Sequence, residues 1–424
     1  GALFAPQPDL GLIVIDEEHE WTYKQQDSPP RYHAREAALE LARLVGAVVV
    51  LGSATPDVES YHRAQRGEYE LLELPERAAL NARLPQVQIV DLRRELREGN
   101  RSLFSRALRQ AMQEALEAGE QVILFLNRRG SATAVQCRSC GFVLRCRRCE
   151  VPLAYHSAPE VLLCHHCNQR SPVPRLCPMC FGPQLRFLGL GTQRAEEETA
   201  QAFPQARLLR WDRDVTQKRG SHEEIMERFL SHRADILIGT QMIAKGLDMP
   251  SVTLVGVLSA DTGLHLPDLR AGERTFQILT QVAGRAGRGA AGGRVIIQTY
   301  TPEHYAILAA AQQDYRAFFK EEIERRRRHD YPPFSRLAHL LYTHTNAARC
   351  QQEAERMARL LRQERDARGL ADLTVLGPTP AFAPRERGRY RWQVLVKGGD
   401  PPSLLAGIAW PKGWAVDIDP VSLL

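Results

Sequence analysis

Four Cys-x-x-Cys pairs within residues 137–180 constrain the fold of this chain more than any other feature of its sequence. The pairs, which use eight of the chain's 9 cysteines, are Cys137/Cys140, Cys146/Cys149, Cys164/Cys167 and Cys177/Cys180. A Cys-x-x-Cys turn directs two thiolates at one point, and two such turns complete a tetrahedral Zn²⁺ site. The eight cysteines therefore predict two structural zinc sites that leave no coordination position open for catalysis.

Four pairs can be combined into two metal sites in three ways, and their spacing favours a nested arrangement. In that arrangement the inner zinc is held by Cys146, Cys149, Cys164 and Cys167, and the outer zinc by Cys137, Cys140, Cys177 and Cys180. Disulfides, a redox-active pair and an iron–sulfur cluster are the alternatives. Disulfides are disfavoured because the rest of the chain has the features of a large intracellular enzyme without a secretory leader. A redox motif requires one pair, not four.

Three histidines, His156, His165 and His166, lie among these cysteines. Because four thiolates already saturate each zinc ion, the histidines are not needed as ligands. We expect them to be ordinary surface residues.

The overall composition is that of a globular protein with several domains. The chain has 424 residues, of which 44% are hydrophobic and 25% charged, and a formal net charge of +6. The positive charge is a weak indication of a polyanionic partner. No apolar run reaches the ~20 residues of a membrane-spanning helix, so we expect no membrane association.

Strands and helices alternate along the first three quarters of the chain, which predicts an α/β fold. An apolar run at residues 10–15 predicts a parallel strand covered on both faces, and it ends in Asp16-Glu17-Glu18-His19. A second buried strand at 47–51 ends in Gly52-Ser53-Ala54-Thr55-Pro56. Polar residues at the carboxyl ends of parallel strands form the ligand-binding edge of such sheets. From residue 331 onward the pattern changes to that of a compact α+β domain.

Two groups of residues have the chemistry that nucleotide hydrolysis requires. One carboxylate of the Asp16-Glu17 pair can hold Mg²⁺ while the next polarises the attacking water. In the segment 281–289, Arg285 and Arg288 are three residues apart, so they share a helical face and can reach a γ-phosphate as arginine fingers. The segment 239–248 follows a buried strand but does not end in Gly-Lys-Ser/Thr, so it is not a phosphate-binding P-loop.

These motifs together resemble the primosomal protein N′ family, the bacterial replication-restart DNA helicases of superfamily 2. The resemblance rests on Asp-Glu-Glu-His at 16–19, Gly-Ser-Ala-Thr-Pro at 52–56, Leu-Asn-Arg-Arg-Gly at 126–130 and the eight-cysteine block. Gly-Thr-Gln-Met-Ile-Ala-Lys-Gly at 239–246 and Gln-Val-Ala-Gly-Arg-Ala-Gly-Arg at 281–288 follow in the same order. The match runs over essentially the whole chain.

The resemblance implies two RecA-like helicase lobes, the first partial and the second complete, a zinc insertion and a C-terminal α+β domain. The implied boundaries are 1–75 for the first lobe, 76–130 for a connector and the start of the second, 131–186 for the insertion, 187–329 for the remainder of the second lobe and 330–424 for the last domain.

The resemblance also implies an activity, namely ATP-driven 3′→5′ unwinding of DNA at stalled forks and loading of the replicative helicase. ATP, Mg²⁺ and two structural Zn²⁺ ions are the implied cofactors. The implied partners are forked and single-stranded DNA, other primosome proteins and the single-stranded DNA-binding protein. The implied location is the bacterial cytoplasm, in association with the nucleoid.

Carried over by position, the family's motifs assign roles to individual residues. Asp16 would bind Mg²⁺ and Glu17 would activate water. The ATP site would be completed by His19, Gly246, Asp248, Gln281, Arg285 and Arg288. The family's aromatic-rich loop corresponds to residues 21–26. The implied DNA contacts are Trp21, Tyr23, Lys24, Arg31, Arg128 and Arg129, because aromatic faces and cations suit unpaired bases and their phosphates.

One departure from the family pattern separates two hypotheses. The family has a Gly-x-x-x-x-Gly-Lys-Ser/Thr loop and a DNA-binding N-terminal domain ahead of the acidic motif, and the 424 residues contain no such loop. We therefore expect the chain alone to be inactive as an ATPase. It is either the C-terminal part of a working helicase or a scaffold without motor activity that binds DNA and partners. The intact Asp16, Glu17, Arg285 and Arg288 favour the first hypothesis.

Overall fold

The computed structural model describes residues 2–26, 28–74, 85–127, 133–157, 160–189, 191–212, 221–240, 243, 249, 251–286 and 293–424. Its internal contacts divide the chain into two compact units. The first unit comprises Gly1–Leu72, His165–Asn168 and Glu322–Leu424, and the second comprises Glu73–Cys164 and Gln169–Glu321. The domain boundaries expected from the sequence remain a prediction.

The described residues form strands and α-helices whose bounds are as follows. The strands are β1 (Leu12–Ile15), β2 (Val48–Leu51), β3 (Gln86–Asp91), β4 (Gln121–Phe125), β5 (Thr133–Cys137), β6 (Ala154–Ser157), β7 (Glu160–Leu163), β8 (Arg170–Ser171), β9 (Leu185–Phe187), β10 (Leu208–Trp211), β11 (Ile236–Gly239), β12 (Val252–Val257), β13 (Arg294–Thr299), β14 (Arg336–His344), β15 (Thr374–Glu386), β16 (Arg389–Gly398) and β17 (Trp414–Ile418). The helices are α1 (Ala34–Val45), α2 (Val58–Gln65), α3 (Leu92–Arg97), α4 (Arg106–Glu117), α5 (Thr192–Ala202), α6 (Ser221–Leu230), α7 (Asp261–Leu264), α8 (Ala271–Ala283), α9 (Tyr305–Gln312), α10 (Tyr315–Arg328), α11 (Ala347–Ala367) and α12 (Pro401–Leu405).

The first unit begins with a parallel pair of strands, β1 and β2, that is covered on one face. Ile13 and Ile15 pack against Ala38 and Ala42 of α1. On the opposite face Leu12 and Val14 of β1 are 55% and 61% exposed, and Val48 and Val50 of β2 are also exposed. The expectation of a strand covered on both faces was therefore wrong for the described residues, because this second face of the sheet is exposed among them.

The first unit also contains a four-stranded antiparallel sheet with the order β15-β16-β14-β17. Ala338 and Leu340 of β14 pack against Met357 and Leu361 of α11, so the helix covers one face of the sheet. This arrangement is the α+β domain expected from the sequence. The sequence pattern predicts a short strand that ends near Leu376, but β15 continues to Glu386.

The second unit is built on a six-stranded parallel sheet with the order β10-β11-β4-β12-β13-β3. Every residue of the central strand β4 is buried, as expected for a strand covered on both faces. Leu108 and Met112 of α4 pack against Val122 and Leu124 in its core.

The cysteine-rich insertion leaves this sheet after β4 and returns to it at α5. Its strands form a small antiparallel sheet with the order β8-β7-β6-β5-β9. The pairing of β5 with β9 brings the start and the end of the insertion together.

Two helices, α9 and α10, occupy a segment whose sequence pattern predicts one helix. The sequence pattern of residues 303–328 predicts a single helix, but α9 ends at Gln312 and α10 begins at Tyr315. Gln313 between them has a left-handed backbone with φ +53°. None of the helices described is long and apolar enough to span a bilayer.

Candidate metal centres and nucleotide-hydrolysis motif

The same type of backbone hydrogen bond occurs in each of the four Cys-x-x-Cys turns. In each turn the N–H of the first cysteine donates to the carbonyl oxygen five residues later, at 2.8–2.9 Å. The donor and acceptor pairs are Cys137 and Phe142, Cys146 and Val151, Cys164 and Gln169, and Cys177 and Gly182. This bond closes each turn so that both sulfurs lie on its inner side.

Each turn also has a left-handed residue four positions after its first cysteine. These residues are Gly141, Glu150, Asn168 and Phe181, with φ between +53° and +80°. A left-handed backbone is unfavourable for residues with a Cβ atom, so three of the four turns carry some conformational strain. Cysteine spacing alone does not predict this second regularity.

The turns assemble into the nested pairing expected from the sequence. One cluster contains Cys137, Cys140, Cys177 and Cys180, and the other contains Cys146, Cys149, Cys164 and Cys167. Within each cluster all four sulfurs lie within 4.8 Å of one another.

The sulfur distances in the outer cluster match those of a zinc site. The Sγ atoms of Cys137 and Cys180, and those of Cys140 and Cys177, are 3.7 Å apart. Four sulfurs at ~2.3 Å from a tetrahedral ion are about 3.8 Å from each other. Two Cys₄ clusters with these donors are therefore structural zinc sites, in which the metal holds the turns together and performs no catalysis.

The first zinc turn is fixed to the parallel sheet of the second unit. A Cβ atom on Gly141 would lie 2.3 Å from the carbonyl oxygen of Tyr300, so only glycine permits this close approach. Next to the turn, Gln136 donates from Nε2 to the buried carboxylate of Asp261 at 2.9 Å. Asp261 also accepts from the backbone N–H of Tyr300 at 3.0 Å.

Asp261 is completely buried and accepts several hydrogen bonds. Burial by itself raises the pKa of Asp261, but His265, Gln136 and the N–H of Tyr300 more than offset that effect and hold it below its usual range. Asp261 is not among the predicted site residues, although an acidic residue four positions after a buried strand was a usable signal.

The histidines beside the inner cysteines are not all at the surface. His165 and His166 are buried, and His156 is partly exposed. His165 lies in the first unit, where its Nδ1 is 2.9 Å from the carbonyl oxygen of Pro380 and its own carbonyl accepts from Gln393 at 2.8 Å. The surface expectation was wrong for His165 and His166, because strands distant in sequence cover them.

The acidic motif follows β1 in the first unit and contacts the segment after β2. The Asp16 carboxylate accepts from the N–H of Glu17 at 2.9 Å, and both residues are exposed. His19 Nδ1 lies 2.6 Å from the Ser53 hydroxyl and 3.5 Å from the Glu17 carboxylate. Two exposed carboxylates and a histidine thus stand at the ligand-binding edge of the parallel strands.

The third acidic residue of the motif, Glu18, has a structural role. It is buried, and it accepts hydrogen bonds from Arg35 at 2.6 Å, from the Ser60 hydroxyl at 2.8 Å and from the N–H of Asp57 at 2.6 Å. These bonds join the start of α1, the start of α2 and the motif into one polar core. Glu18 is not among the site residues predicted from the sequence.

The segment matched to the family's aromatic-rich loop is joined to this motif. The Tyr23 hydroxyl donates to the backbone carbonyl of Asp16 at 2.7 Å, and Trp21 is exposed. Arg31 is partly exposed and donates to the carbonyl of Gln26. Lys24, by contrast, is 5% exposed.

The Lys24 ammonium is held by β17 in the same unit. It lies 2.9 Å from the Asp417 carboxylate and donates to the Ile418 carbonyl at 2.6 Å. Burial raises the pKa of Asp417, and Lys24 counteracts part of that rise.

In the second unit, Gln281 lies in the last turn of α8 and Arg285 follows the end of that helix. Gln281 is partly exposed and Arg285 is buried. The other residues assigned to ATP or DNA from the sequence lie outside the described residues, namely Gly246, Asp248, Arg288, Arg128 and Arg129.

Three family models match separate parts of the chain. The Primosomal protein N C-terminal domain matches residues 327–421, the Helicase conserved C-terminal domain matches 192–290, and the PriA DNA helicase Cys-rich region (CRR) domain matches 146–172. The matches coincide with the antiparallel sheet domain, with strands β10, β11 and β12 of the parallel sheet and with the inner zinc site.

Curated relatives align with almost the whole chain. The replication restart protein PriA of Bacillus subtilis (strain 168) is 50% identical over 397 residues, covering 93% of this chain and 48% of the relative. The protein of the same name from Synechocystis is 46% identical over 406 residues, again covering 93% and 48%. That from Chlamydia muridarum is 43% identical, covering 93% and 52%. The chain thus spans about half the length of the curated relatives it matches.

Proposed function

Because the chain belongs to the PriA family of replication restart proteins, we propose that its residues serve an ATP-dependent 3′→5′ DNA helicase that acts when replication restarts at stalled forks. The contact between the acidic motif after β1 and the segment after β2 carries this proposal. Asp16 and Glu17 are exposed there, and Ser53 positions His19 beside Glu17.

The residues at this edge suit ATP hydrolysis by their chemistry. We assign Asp16 to hold Mg²⁺, which when bound would neutralise phosphate charge, and Glu17 to accept a proton from the attacking water. His19 would orient Glu17. By their positions in the family's motifs, we also assign Gln281, Arg285, Gly246, Asp248 and Arg288 to ATP binding. The P-loop would come from a segment that is not among these 424 residues.

DNA binding would be communicated to the ATP site through the loop at 21–26. Trp21 is exposed and can stack on an unpaired base, while the Tyr23 hydroxyl is bonded to the backbone of Asp16. With Lys24 held by Asp417, we assign Lys24 to anchoring the loop and leave phosphate contacts to Arg31, Arg128 and Arg129.

The partners expected from the family are part of the same proposal. Forked and single-stranded DNA would be the substrates, and primosome proteins and the single-stranded DNA-binding protein would be the protein partners. The alternative function is a scaffold without motor activity, for which the zinc insertion and the antiparallel sheet domain would suffice.

Replacement of Glu17 by glutamine in the protein at the full length of its relatives tests the motor proposal. Glu17 is exposed, so Glu17→Gln should leave the fold, the zinc content and ATP binding unchanged. Loss of a general base should lower the DNA-stimulated ATPase rate by roughly 10²–10⁴-fold. Glu20→Gln, at a nearby acidic residue without an assigned role, is the matched control. Equal ATPase rates in the two variants would favour the scaffold.

A further inference from the structure

A cavity of about 300 Å³ opens beside the zinc insertion, and all of its walls belong to the second unit. Leu96 of α3 lines one side, Phe187 of β9 lines the side formed by the insertion, and Ser259 after β12 lines the base. The volume is at the lower end of the range for small-ligand pockets.

The charged lining of this cavity is predominantly positive. Its charged residues in the described part of the chain are Arg101, Arg138, Arg186, Arg194 and Glu95. Arg101, Arg138 and Arg186 are exposed, and none of the three has a carboxylate partner among the described residues. Arg186 donates only to backbone carbonyls, at 2.8 Å to that of Leu185.

The single acidic residue in the lining is already neutralised. Glu95 accepts from the side chain of Asn100 at 2.6 Å and pairs with Arg106 at 3.3 Å. Arg194 is likewise engaged, with Glu198 at 2.7 Å. The unpaired charge at the cavity therefore comes from Arg101, Arg138 and Arg186, and it is suited to an anion.

An aromatic surface lies next to these arginines. The Phe187 ring is 47% exposed and stacks by one face on Tyr155, with the ring centroids 4.1 Å apart. The Arg138 guanidinium lies 5.8 Å from the centre of the Tyr300 ring, which orients it. Exposed aromatic faces beside unpaired cations are the combination that binds single-stranded nucleic acid.

We propose that this cavity binds a segment of single-stranded DNA, with one base against Phe187 and neighbouring phosphates on Arg138 and Arg186. The choice of DNA rests on the proposed function. An acidic peptide would satisfy the arginines but has no need of a stacking face, whereas a nucleotide uses both. The site would bind the strand at the junction between the zinc insertion and the parallel sheet.

Equilibrium binding of a fluorescent oligothymidylate to the zinc-loaded 424-residue chain tests the charged part of the site. Fluorescence anisotropy would be measured between 50 and 300 mM salt. Arg138→Ala/Arg186→Ala should weaken binding roughly tenfold and reduce the slope of log K against log salt by about 1.4, since each lost phosphate contact contributes ~0.7.

A charge-matched control separates local contacts from net charge. Arg109→Ala/Arg228→Ala removes two exposed arginines from α4 and α6 in the same unit. This variant should retain the salt slope and bind within about twofold of the unchanged chain. Equal losses in the two double variants would overturn the proposal.

A third variant tests the aromatic part. Phe187→Leu keeps an apolar side chain but removes the stacking face, and it should weaken binding at least fivefold with an unchanged salt slope. If Phe187→Leu binds DNA normally and polyglutamate displaces the oligonucleotide from the unchanged chain, the cavity is a peptide site and the proposal fails. If the unchanged chain binds no oligothymidylate, the DNA part of the proposed function fails with it.

Discussion

The two Cys₄ clusters and the acidic motif after β1 differ in how much of the complete site lies within the 424 residues. Each zinc cluster takes its four ligands from two turns of one short insertion, and the sulfurs already have the separations that the metal requires. The acidic motif supplies two carboxylates and a histidine, but the ATP hydrolysis that we propose for it needs a phosphate-binding loop that the 424 residues do not contain. A site that stabilises structure can be local, whereas a site that hydrolyses ATP combines distant segments.

Removal of one zinc ligand should have the largest effect in this comparison. Cys177→Ala should lower the zinc content from two ions per chain to one and unfold the outer zinc site while the inner site keeps its ion, because structural zinc contributes about 10–16 kcal/mol to such folds. Metal analysis would measure the zinc content, and limited proteolysis would measure the unfolding. The control is Cys350→Ala, at the cysteine outside both clusters, which should keep both ions. Two ions in Cys177→Ala would refute the assigned ligand set.

Breaking the ion pair that anchors the loop should have the next largest effect. Lys24→Met leaves the Asp417 carboxylate partly buried without its partner and should destabilise the first unit by about 3–5 kcal/mol. Thermal unfolding followed by tryptophan fluorescence would measure the change. The double variant Lys24→Met/Asp417→Leu should recover most of that loss. An unchanged unfolding temperature in Lys24→Met would show that the pair does not anchor the loop.

Acidification should weaken the first unit through two partly buried histidines. Burial lowers the pKa of both His33 and His339 to about 4 from an ordinary value of 6.5. The unfolded chain therefore binds protons that the folded chain does not, so stability falls as the pH decreases from about 6.5 towards 4. The loss is up to about 3 kcal/mol for each histidine.

Replacement of His339 should reduce this pH dependence. His339 Nε2 lies 3.1 Å from Gln393 Oε1, and the amide of His339→Gln can also donate to that oxygen without titrating. Urea unfolding at pH 7 and pH 5 would compare the variant with the unchanged chain. An identical pH dependence of stability in the two proteins would show that His339 does not contribute to it.

The smallest effects should come from substitutions of the left-handed residues in the two turns of the outer zinc cluster. Gly141→Ala introduces a Cβ into a left-handed turn and against Tyr300, and it should destabilise by about 1–2 kcal/mol or more. Phe181→Gly, at the equivalent position of the other turn, relieves left-handed strain and should change stability by only about 1 kcal/mol, in the favourable direction. Zinc retention against a competing chelator would rank the variants. If Gly141→Ala retained zinc better than Phe181→Gly, the two turns would not share the geometry described above.

The zinc ligands and most of the elements could be predicted because their signals are local. A Cys-x-x-Cys turn requires four residues, and apolar periodicity placed β10, β13 and β17 at the bounds that the structure has. The break at Gln313 was missed because glutamine carries no turn signal, although its backbone is left-handed there.

Features that depend on distant segments could not be predicted. Glu18 is buried by Arg35, Ser60 and Asp57, and His165 by strands more than 200 residues away in sequence. Lys24 was predicted to contact DNA because nothing near it in the sequence indicates an ion pair. Its partner, Asp417, is 393 residues further along the chain. A charged residue in a loop has the same local pattern whether its partner is a phosphate or a carboxylate.

The most direct test of this account compares DNA-stimulated ATP hydrolysis by the 424-residue chain and by the protein at the full length of its relatives. Both should contain two zinc ions. We predict that only the longer protein turns over ATP, because Asp16, Glu17 and Arg285 need a phosphate-binding loop to hold the nucleotide. Comparable turnover by the 424-residue chain would contradict this account and place the phosphate site within these residues.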